Sequence, residues 1–170
     1  MALIILSGLP GTGKTSIARA LAPALRAMHV RIDEIEQRLR ESGTLKGPLD
    51  DAGYLAGYAL AEAQLRRGRT VIADSVNPLA ITRDAWREVA VRAGVAAVEV
   101  EVVCSDTDEH RRRIETRIAD LANFTLPTWQ EVVARRYEPW NRPVTSIDTA
   151  RTSIEGGVAA VMAAVAAASY

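Results

Sequence analysis

The segment GLPGTGKT at residues 8–15 constrains this chain more than any other feature. It matches the pattern G-x-x-x-x-G-K-[ST] at every fixed position, an apolar run precedes it, and a helical pattern follows it. Glycines allow backbone N–H groups to turn inward around phosphate oxygens, and the positive end of the following helix points at the same oxygens. The segment therefore predicts a strand, a phosphate-binding loop and a helix in that order.

The chemistry of such a loop assigns roles to particular side chains. Lys14 can reach the β- and γ-phosphates of a nucleotide, and the hydroxyl of Thr15 can ligate Mg²⁺. We therefore expect ATP and Mg²⁺ as cofactors. The residues expected to contact the nucleotide in this segment are Gly8, Pro10, Gly11, Thr12, Gly13, Lys14, Thr15 and Ser16. The loop by itself leaves open a kinase, a nucleotide-hydrolysing switch and a mechanical ATPase.

Short apolar runs alternate with helix-length segments along the chain. The runs predicted to be strands are Ala2–Ser7, His29–Asp33, Thr70–Asp74, Ala97–Cys104 and Val144–Asp148. The segments predicted to be helices are Lys14–Ala27, Glu34–Glu41, Asp50–Arg67, Ile81–Ala93, Thr107–Leu121 and Thr128–Tyr137. This alternation favours an α/β fold with a parallel sheet that is covered on both faces. Because no linker or repeat divides the chain, residues 1–170 are predicted to form a single domain.

The charge balance argues against a dedicated nucleic-acid-binding protein. Lys plus Arg and Asp plus Glu both number 21, so the chain has no basic excess. The single cysteine, Cys104, cannot form an internal disulfide, which fits a cytoplasmic protein. The apolar stretch Gly156–Ala168 is shorter than the about 20 residues that span a bilayer. We therefore expect a terminal helix packed on the core, and no membrane partner.

Several segments, taken in order, resemble a known family. They are LSGLPGTGKTSIARALA, RIDEIEQRL, VIADSVNPLAITRDAWREVA, CSDTDEHRRRIETR and RRYEPWNRPVTSIDTA. Together they resemble the small P-loop kinases of the nucleoside-monophosphate-kinase-like group, in the branch that contains predicted AAA-type small kinases, chloramphenicol phosphotransferase, zeta toxins and the kinase domain of polynucleotide kinase. The resemblance spans nearly the whole chain. It implies a P-loop NTPase fold with a five-stranded parallel sheet of order 2-3-1-4-5 and a small helical lid.

The resemblance assigns a catalytic place to Asp33. In this family a carboxylate after the second strand lies beside the transferred phosphoryl group, where it accepts the proton of the attacking hydroxyl or orients that hydroxyl. Position alone also allows Asp33 to be the N-cap of the helix Glu34–Glu41. Several relatives carry an arginine three residues later that grips a substrate phosphate, but this chain has Glu36. Glu36 favours a neutral or cationic acceptor, unless it belongs to a solvated helix face.

Asp74 ends the apolar run Thr70–Asp74. A carboxylate at the tip of a buried strand is the Walker B arrangement, which holds Mg²⁺, and the resemblance also allows it to face the acceptor. Asn77 follows closely enough to reach either group, although an Asp before Asn77 and a proline also suits a turn. We therefore predict a metal site at Thr15 and Asp74, and acceptor binding by Asp33, Asp74 and Asn77. Arg83 also matches a family position.

Two arginines are predicted to face the nucleotide. Arg113 and Arg117 are spaced i and i+4, so they share one helix face. The resemblance implies that one stacks on adenine and the other reaches the phosphates, ahead of a lid at residues 117–130. An ion pair between Arg113 and Glu109 is the competing interpretation.

The last part of the chain supplies further candidates. Arg135 or Arg136 is a candidate for a second phosphate-facing arginine, and the resemblance implies that Thr149 contributes to the adenine pocket. His29 and His110 lack the spacing of metal ligands.

These observations predict ATP-dependent transfer of a γ-phosphoryl group to a hydroxyl of a small-molecule acceptor such as an antibiotic, a sugar or polyol, or a nucleoside. Lys14, Asp33 and Arg117 are the predicted catalytic residues. The alternatives are a zeta-toxin-like kinase of an activated cell-wall sugar and a nucleotide-dependent binding module or switch with weak ATPase activity. A polynucleotide 5′-kinase is disfavoured because the sequence has no evident basic channel. The sequence leaves the oligomeric state open.

Overall fold

A computed structural model describes residues 1–43 and 51–168 of the chain. Its five strands are all parallel and lie in the order β2-β3-β1-β4-β5. They are β1 (Ala2–Ser7), β2 (Met28–Arg31), β3 (Val71–Asp74), β4 (Ala96–Val103) and β5 (Thr145–Asp148). The predicted five-stranded parallel sheet and its order are therefore confirmed.

Helices cover both faces of this sheet. They are α1 (Lys14–Leu25), α2 (Ile32–Glu41), α3 (Ala52–Arg66), α4 (Ala80–Ala93), α5 (Thr107–Thr116), α6 (Trp129–Ala134) and α7 (Ile154–Ala167). Asp50, the predicted first residue of α3, lies outside the described residues. The predicted terminal helix is α7, which packs against α1 and β5. No helix in the described ranges is long and apolar enough to cross a membrane.

The apolar character of β1 follows from its place in the middle of the sheet. Leu3 and Ile5 point to one face, where they pack with Trp86 of α4 and with α3. Ile4 and Leu6 point to the other face, where they pack with α1 and α7. All four side chains of the strand are fully buried, which explains why β1 shows no alternation of polar and apolar residues.

The start of α2 corrects the predicted capping role of Asp33. The helix begins at Ile32, and Arg31 takes the N-cap position with an extended backbone and no capping side-chain hydrogen bond. β2 therefore runs directly into α2, and Asp33 lies inside the first helical turn. The N-cap prediction for Asp33 is wrong, because the helix starts one residue before it.

The segment after α5 corrects the predicted helical lid. The helix predicted to reach Leu121 ends at Thr116, and Arg117 already has an extended backbone. The hydroxyl of Thr116 donates to the carbonyl of Arg112, a local bond that competes with continued helix formation. Residues 117–128 contain neither helix nor strand, and α6 follows them.

Parallel strands bring their carboxyl ends to the same edge of a sheet, which is where α/β proteins of this kind bind ligands. At this edge lie the loop after β1, Arg31 at the end of β2 and Asp74 at the end of β3. The topology therefore assembles residues from three separate parts of the chain at one place.

Candidate active site

The loop between β1 and α1 is held close to its neighbours by two glycines. A Cβ atom on Gly8, whose φ is +142°, would lie 2.1 Å from the carbonyl oxygen of Val102 on β4. A Cβ on Gly11, whose φ is +81°, would lie 2.6 Å from Cδ1 of Ile114 on α5. Both positions combine positive φ with close approach, so a larger residue at either would displace the loop. His110 adds a hydrogen bond of 2.7 Å from Nε2 to the carbonyl of Pro10.

Lys14 is the buried cation of the loop. Its side chain is largely buried, and Nζ donates to the carbonyl of Leu9 at 2.9 Å. Burial lowers the pKa of Lys14 to about 8, and the negative charges of Asp74 and Asp33 offset only part of this effect. No ion pair of Lys14 is present within the described ranges of the chain. The ammonium is therefore a desolvated donor that favours an anionic partner in the cleft.

Asp74, at the end of β3, accepts two hydrogen bonds. The hydroxyl of Thr15 donates to its Oδ2 at 2.8 Å, and Nε2 of His29 donates to the same atom at 3.0 Å. Burial alone would raise the pKa of Asp74, but the hydrogen bond from His29 and the positive charge of Lys14 outweigh it and keep this pKa below its ordinary value. Asp74 is therefore held as a buried carboxylate.

The oxygens of Thr15 and Asp74 fit a magnesium site. Mg²⁺ prefers hard oxygen ligands and usually keeps several waters, with one or two protein ligands completed by substrate phosphates. Among the described residues no group of three or more His, Cys, Asp or Glu side chains could hold a metal ion. A hydroxyl and a carboxylate 2.8 Å apart beside the phosphate-binding loop suit this partial type of coordination.

A single cleft of about 1400 Å³ extends from the loop to α2 and α3. Lys14, Thr15 and Asp74 line one part of it, and Asp33 and Glu36 of α2 line another. The pKa of Glu36 is raised because the side chain is partly buried and because Asp33 lies nearby with the same charge. The α2 side of the cleft thus carries two carboxylates, with Arg31 3.6 Å from Asp33 and Arg40 3.7 Å from Glu36.

Arg113 and Arg117 both line this cleft, but they do not share a helix face as their spacing predicted, because α5 ends at Thr116. Arg113 donates from Nη1 to the hydroxyl of Thr149 at 2.8 Å and from Nη2 to the carbonyl of Thr149 at 3.1 Å. It also donates from Nε to Glu109 at 2.8 Å, so the competing ion pair exists alongside the contact with Thr149. Arg117 lines the cleft close enough to Lys14 for its charge to contribute to lowering the pKa of Lys14.

Two predicted side chains, those of Asn77 and Thr12, are turned away from the cleft. Asn77 is fully buried, receives hydrogen bonds from Ser75 and Trp86, and donates to Ser7, so its polar groups are used inside the protein. The prediction that Asn77 binds the acceptor is therefore corrected. The side chain of Thr12 is buried and donates to the carbonyl of Leu9.

Two predicted arginines are also committed elsewhere. Arg83 is buried and donates to the carbonyls of Asn77 and Glu138. Arg136 is exposed and pairs with Glu138 at 2.6 Å, whereas Arg135 lines the cleft. Of the two candidates for a second phosphate-facing arginine, Arg135 is the one that lines the cleft, and its charge acts on Glu36 of α2.

The sequence reasoning missed four residues around the cleft. His29 donates to Asp74, His110 donates to the loop, and Arg31 and Asp120 pair with each other at 2.7 Å. No local motif marks any of them, because each contact joins segments that are far apart in the chain. Two positions could have suggested a role: Arg31 ends β2 two residues before Asp33, and Asp120 lies inside the predicted lid at residues 117–130.

Comparison with known proteins identifies the family. The model of the family AAA_33, described as an AAA domain, matches residues 3–139. The chain belongs to this family. Its predicted resemblance to small P-loop kinases is therefore confirmed.

Individual relatives of this AAA-domain protein are kinases by name. The "Probable adenylyl-sulfate kinase" of Aeropyrum pernix is 27% identical over 170 residues, which cover 92% of this chain and 87% of that protein. The shikimate kinase of Corynebacterium glutamicum is 27% identical over 156 residues, covering 82% and 88%. The structure of an APS kinase from Mycobacterium tuberculosis in complex with AMPPNP and APS matches with a TM-score of 0.73 at 20% identity, covering 97% of each chain. This last likeness concerns the fold.

Proposed function

We propose that this protein is an ATP-dependent kinase that transfers the γ-phosphoryl group to a hydroxyl of a small-molecule acceptor. The observation that carries the proposal is the continuity of the cleft, in which Lys14 and Thr15 at one side share a single space with Asp33 at the other. Its volume of about 1400 Å³ exceeds the about 300–1,000 Å³ of a site for one drug-sized ligand. A nucleotide and a small acceptor therefore fit together.

The nucleotide end contains the groups that phosphoryl transfer requires. Catalysis of this reaction consists mainly of positioning and of stabilising charge on the transferred oxygens. In our proposal Lys14 and Arg117 bind the phosphates, and Thr15 and Asp74 hold Mg²⁺, which would neutralise phosphate charge when bound. We further propose that Arg113, which donates to the hydroxyl of Thr149, faces the adenine.

In our proposal the acceptor end is the α2 side of the cleft, which carries Asp33 and Glu36. In our proposal Asp33 accepts the proton of the acceptor hydroxyl or orients it. Glu36 lies next to it, and its partner Arg40 is 3.7 Å away, too far for a strong charge-assisted hydrogen bond. Because two carboxylates already repel each other there, we expect an acceptor that is neutral or cationic where it meets Glu36. The relatives named above act, by their names, on different acceptors, so they support the reaction class rather than one substrate.

The test is a transfer screen with ATP labelled at the γ-phosphate. The acceptors form matched sets of similar size: polyols and sugars, amino alcohols and aminoglycosides, hydroxy acids, and nucleosides. We expect labelled product with a hydroxyl compound in the presence of Mg²⁺, with neutral or amino acceptors preferred over hydroxy acids. Glu36→Gln should narrow that preference, and Asp84→Asn, which changes a carboxylate outside the cleft, serves as the control.

The alternative functions give different results in the same experiment. A nucleotide-dependent switch would hydrolyse ATP slowly without labelling any acceptor, and its partner binding would depend on nucleotide. A kinase of an activated cell-wall sugar would label none of these four sets but would label nucleotide sugars, which are added as a fifth set. If ATP binds but no acceptor of any class is labelled, the proposed kinase activity is overturned.

A further inference from the structure

Asp120 joins two elements of the fold from a segment that has no regular structure. Its carboxylate accepts from Nη1 of Arg31, at the end of β2, at 2.7 Å. The same oxygen accepts from Nη2 of Arg19, on the face of α1. The segment 117–128 is thereby tied across the cleft to the strand on one side and to the helix on the other.

Arg31 is the unusual member of this group because it is almost completely buried. Its side chain is 4% exposed, and its Nε and Nη2 atoms have no hydrogen-bond partner among the residues that the structure describes. Nη2 lies 3.6 Å from the carboxylate of Asp33, which is an ion-pair distance but too long for a hydrogen bond. The bond to Asp120 is therefore the main compensation for this buried guanidinium. Loss of that bond would leave Arg31 with the longer ion pair to Asp33 in place of a charge-assisted hydrogen bond, so the contact differs from an ordinary exposed ion pair.

The electrostatics of Asp120 agree with this geometry. The hydrogen bond from Arg31 is the largest effect, and together with that from Arg19 it holds the pKa of Asp120 far below its ordinary value. The carboxylate is thus ionised throughout the neutral range. The contact with Arg19 contributes less than the contact with Arg31, because the side chain of Arg19 is 58% exposed and is screened by solvent.

Arg117 lies in the same segment, three residues before Asp120. It lines the cleft, and its charge is felt at Lys14. α5 ends at Thr116, so no helix fixes the backbone of Arg117. A contact that anchors this segment is needed to keep the guanidinium facing the phosphates.

We propose that Asp120 is a positioning residue that holds Arg117 against the phosphate end of the nucleotide. Its two ion pairs form a latch, defined here as Asp120 with Arg19 and Arg31, that fixes the segment 117–128 over the cleft. Because Arg31 also lies 3.6 Å from Asp33, the latch links the segment 117–128 to the α2 side of the cleft. The role of Arg117 in this inference rests on the proposed function. The ion pairs of the latch do not depend on that function.

The first arm of the test measures the latch without nucleotide. Chymotrypsin cleaves after Leu121 and Phe124 when the segment opens, and such cleavage follows the population of the open form. We expect Asp120→Asn to increase the rate at these two sites about fivefold, since the neutral amide removes the charge by which the segment pairs with Arg31 and Arg19. Asp120→Glu should restore part of the protection. Asp84→Asn is the matched control, because Asp84 pairs with Arg142 at 2.7 Å outside the cleft.

The second arm measures positioning with the probe Mg·AMPPNP in a double-mutant cycle. Asp120→Asn should weaken binding about fivefold in the unmodified chain but less than about twofold in Arg117→Ala, because the two residues act as a unit. Equal losses in both backgrounds would overturn the positioning role, and unchanged cleavage in Asp120→Asn would overturn the latch. If the unmodified protein does not bind Mg·AMPPNP, the proposed function and the positioning role fail together, while the cleavage rates still decide whether the latch exists.

Discussion

The hydroxyl of Thr15 donates to the carboxylate of Asp74 across 2.8 Å, although the two residues belong to separate strand–helix units of the chain. His29 donates to the same oxygen from the neighbouring strand at 3.0 Å. A buried carboxylate is costly without such donors. The two oxygen groups proposed to hold Mg²⁺ are therefore oriented by the protein itself, and His29 sets the orientation of one of them.

We expect His29→Ala to lower the affinity for Mg²⁺ in the nucleotide complex without changing the fold. Residues that orient metal ligands typically contribute about 10–100-fold to metal affinity. A Mg²⁺ titration of AMPPNP binding should therefore shift to about 10-fold higher concentration, while AMPPNP binding without metal stays the same. His29→Gln keeps a donor and should recover most of the loss. An unchanged titration would mean that His29 only packs beside Asp74.

Lys14→Ala should remove phosphoryl transfer and leave the fold intact. Loss of one preorganised charge at the transferred group costs about 100–1,000-fold in turnover. The buried ammonium donates only to the carbonyl of Leu9 within the described chain, so its removal costs little stability. Acceptor-dependent turnover and the thermal midpoint are measured on one preparation. Arg87→Ala, on the outer side of α4, is the control, and full activity of Lys14→Ala would contradict the loop assignment.

Nucleotide binding should take up a proton in alkaline solution. Burial lowers the pKa of free Lys14 to about 8, and bound phosphates raise it again. Affinity for Mg·AMPPNP is then constant below about pH 7 and falls by up to about tenfold per pH unit above pH 8. Calorimetry in two buffers of different ionisation enthalpy measures the uptake. Lys14→Arg, which does not titrate in this range, should show none.

The stability of the nucleotide-free protein changes with pH in the direction opposite to that of nucleotide affinity. The folded pKa of Lys14 lies below the unfolded value, so between about pH 8 and 10.5 the unfolded chain binds more protons. The contribution of Lys14 to the free energy of unfolding therefore increases as the pH rises through this range. Urea titrations of the nucleotide-free protein, compared with Lys14→Ala, isolate that contribution.

The sequence predicted those parts of the cleft that lie in continuous segments. The loop at residues 8–15 carries its own pattern, and Asp74 ends a recognisable apolar strand, so their positions followed from strand order. His29 and Asp120 have no local pattern. The role of His29 arises only where β2 lies beside Asp74 of β3, and the role of Asp120 arises only where the segment 117–128 contacts Arg31 and Arg19. Asn77 had a suitable type and position, but its amide is used inside the core, which depends on side-chain packing that spacing does not specify.

Arg83 is expected to stabilise the fold rather than to bind substrate. Its guanidinium is 1% exposed, donates at 2.7 Å to the carbonyl of Glu138, and lies 4.3 Å from the ring centroid of Trp140. Arg83→Met would leave buried carbonyls without donors and lose the cation–π contact, so we expect about 3 kcal/mol less stability. Arg87→Met, one helical turn later and half exposed, removes one of two arginines that pair with Glu99 and should cost less than about 1 kcal/mol. Chemical denaturation of both variants tests the difference.

Asp33→Asn separates catalysis from structure at the acceptor side. Asp33 is 39% exposed and lies in the first turn of α2, so its charge contributes to helix stability by about 0.3–1 kcal/mol at most. Removal of a general base typically lowers turnover by about 100–10,000-fold, toward the lower end here because phosphoryl transfer is largely dissociative. We therefore expect a large loss of acceptor-dependent turnover, nearly unchanged Mg·AMPPNP affinity and a small change in thermal midpoint. Asp33→Glu keeps the charge but moves it, and should retain part of the activity only if proton acceptance rather than exact position limits the rate. A fully active Asp33→Asn would move the catalytic carboxylate elsewhere, with Asp74 as the next candidate in the same cleft.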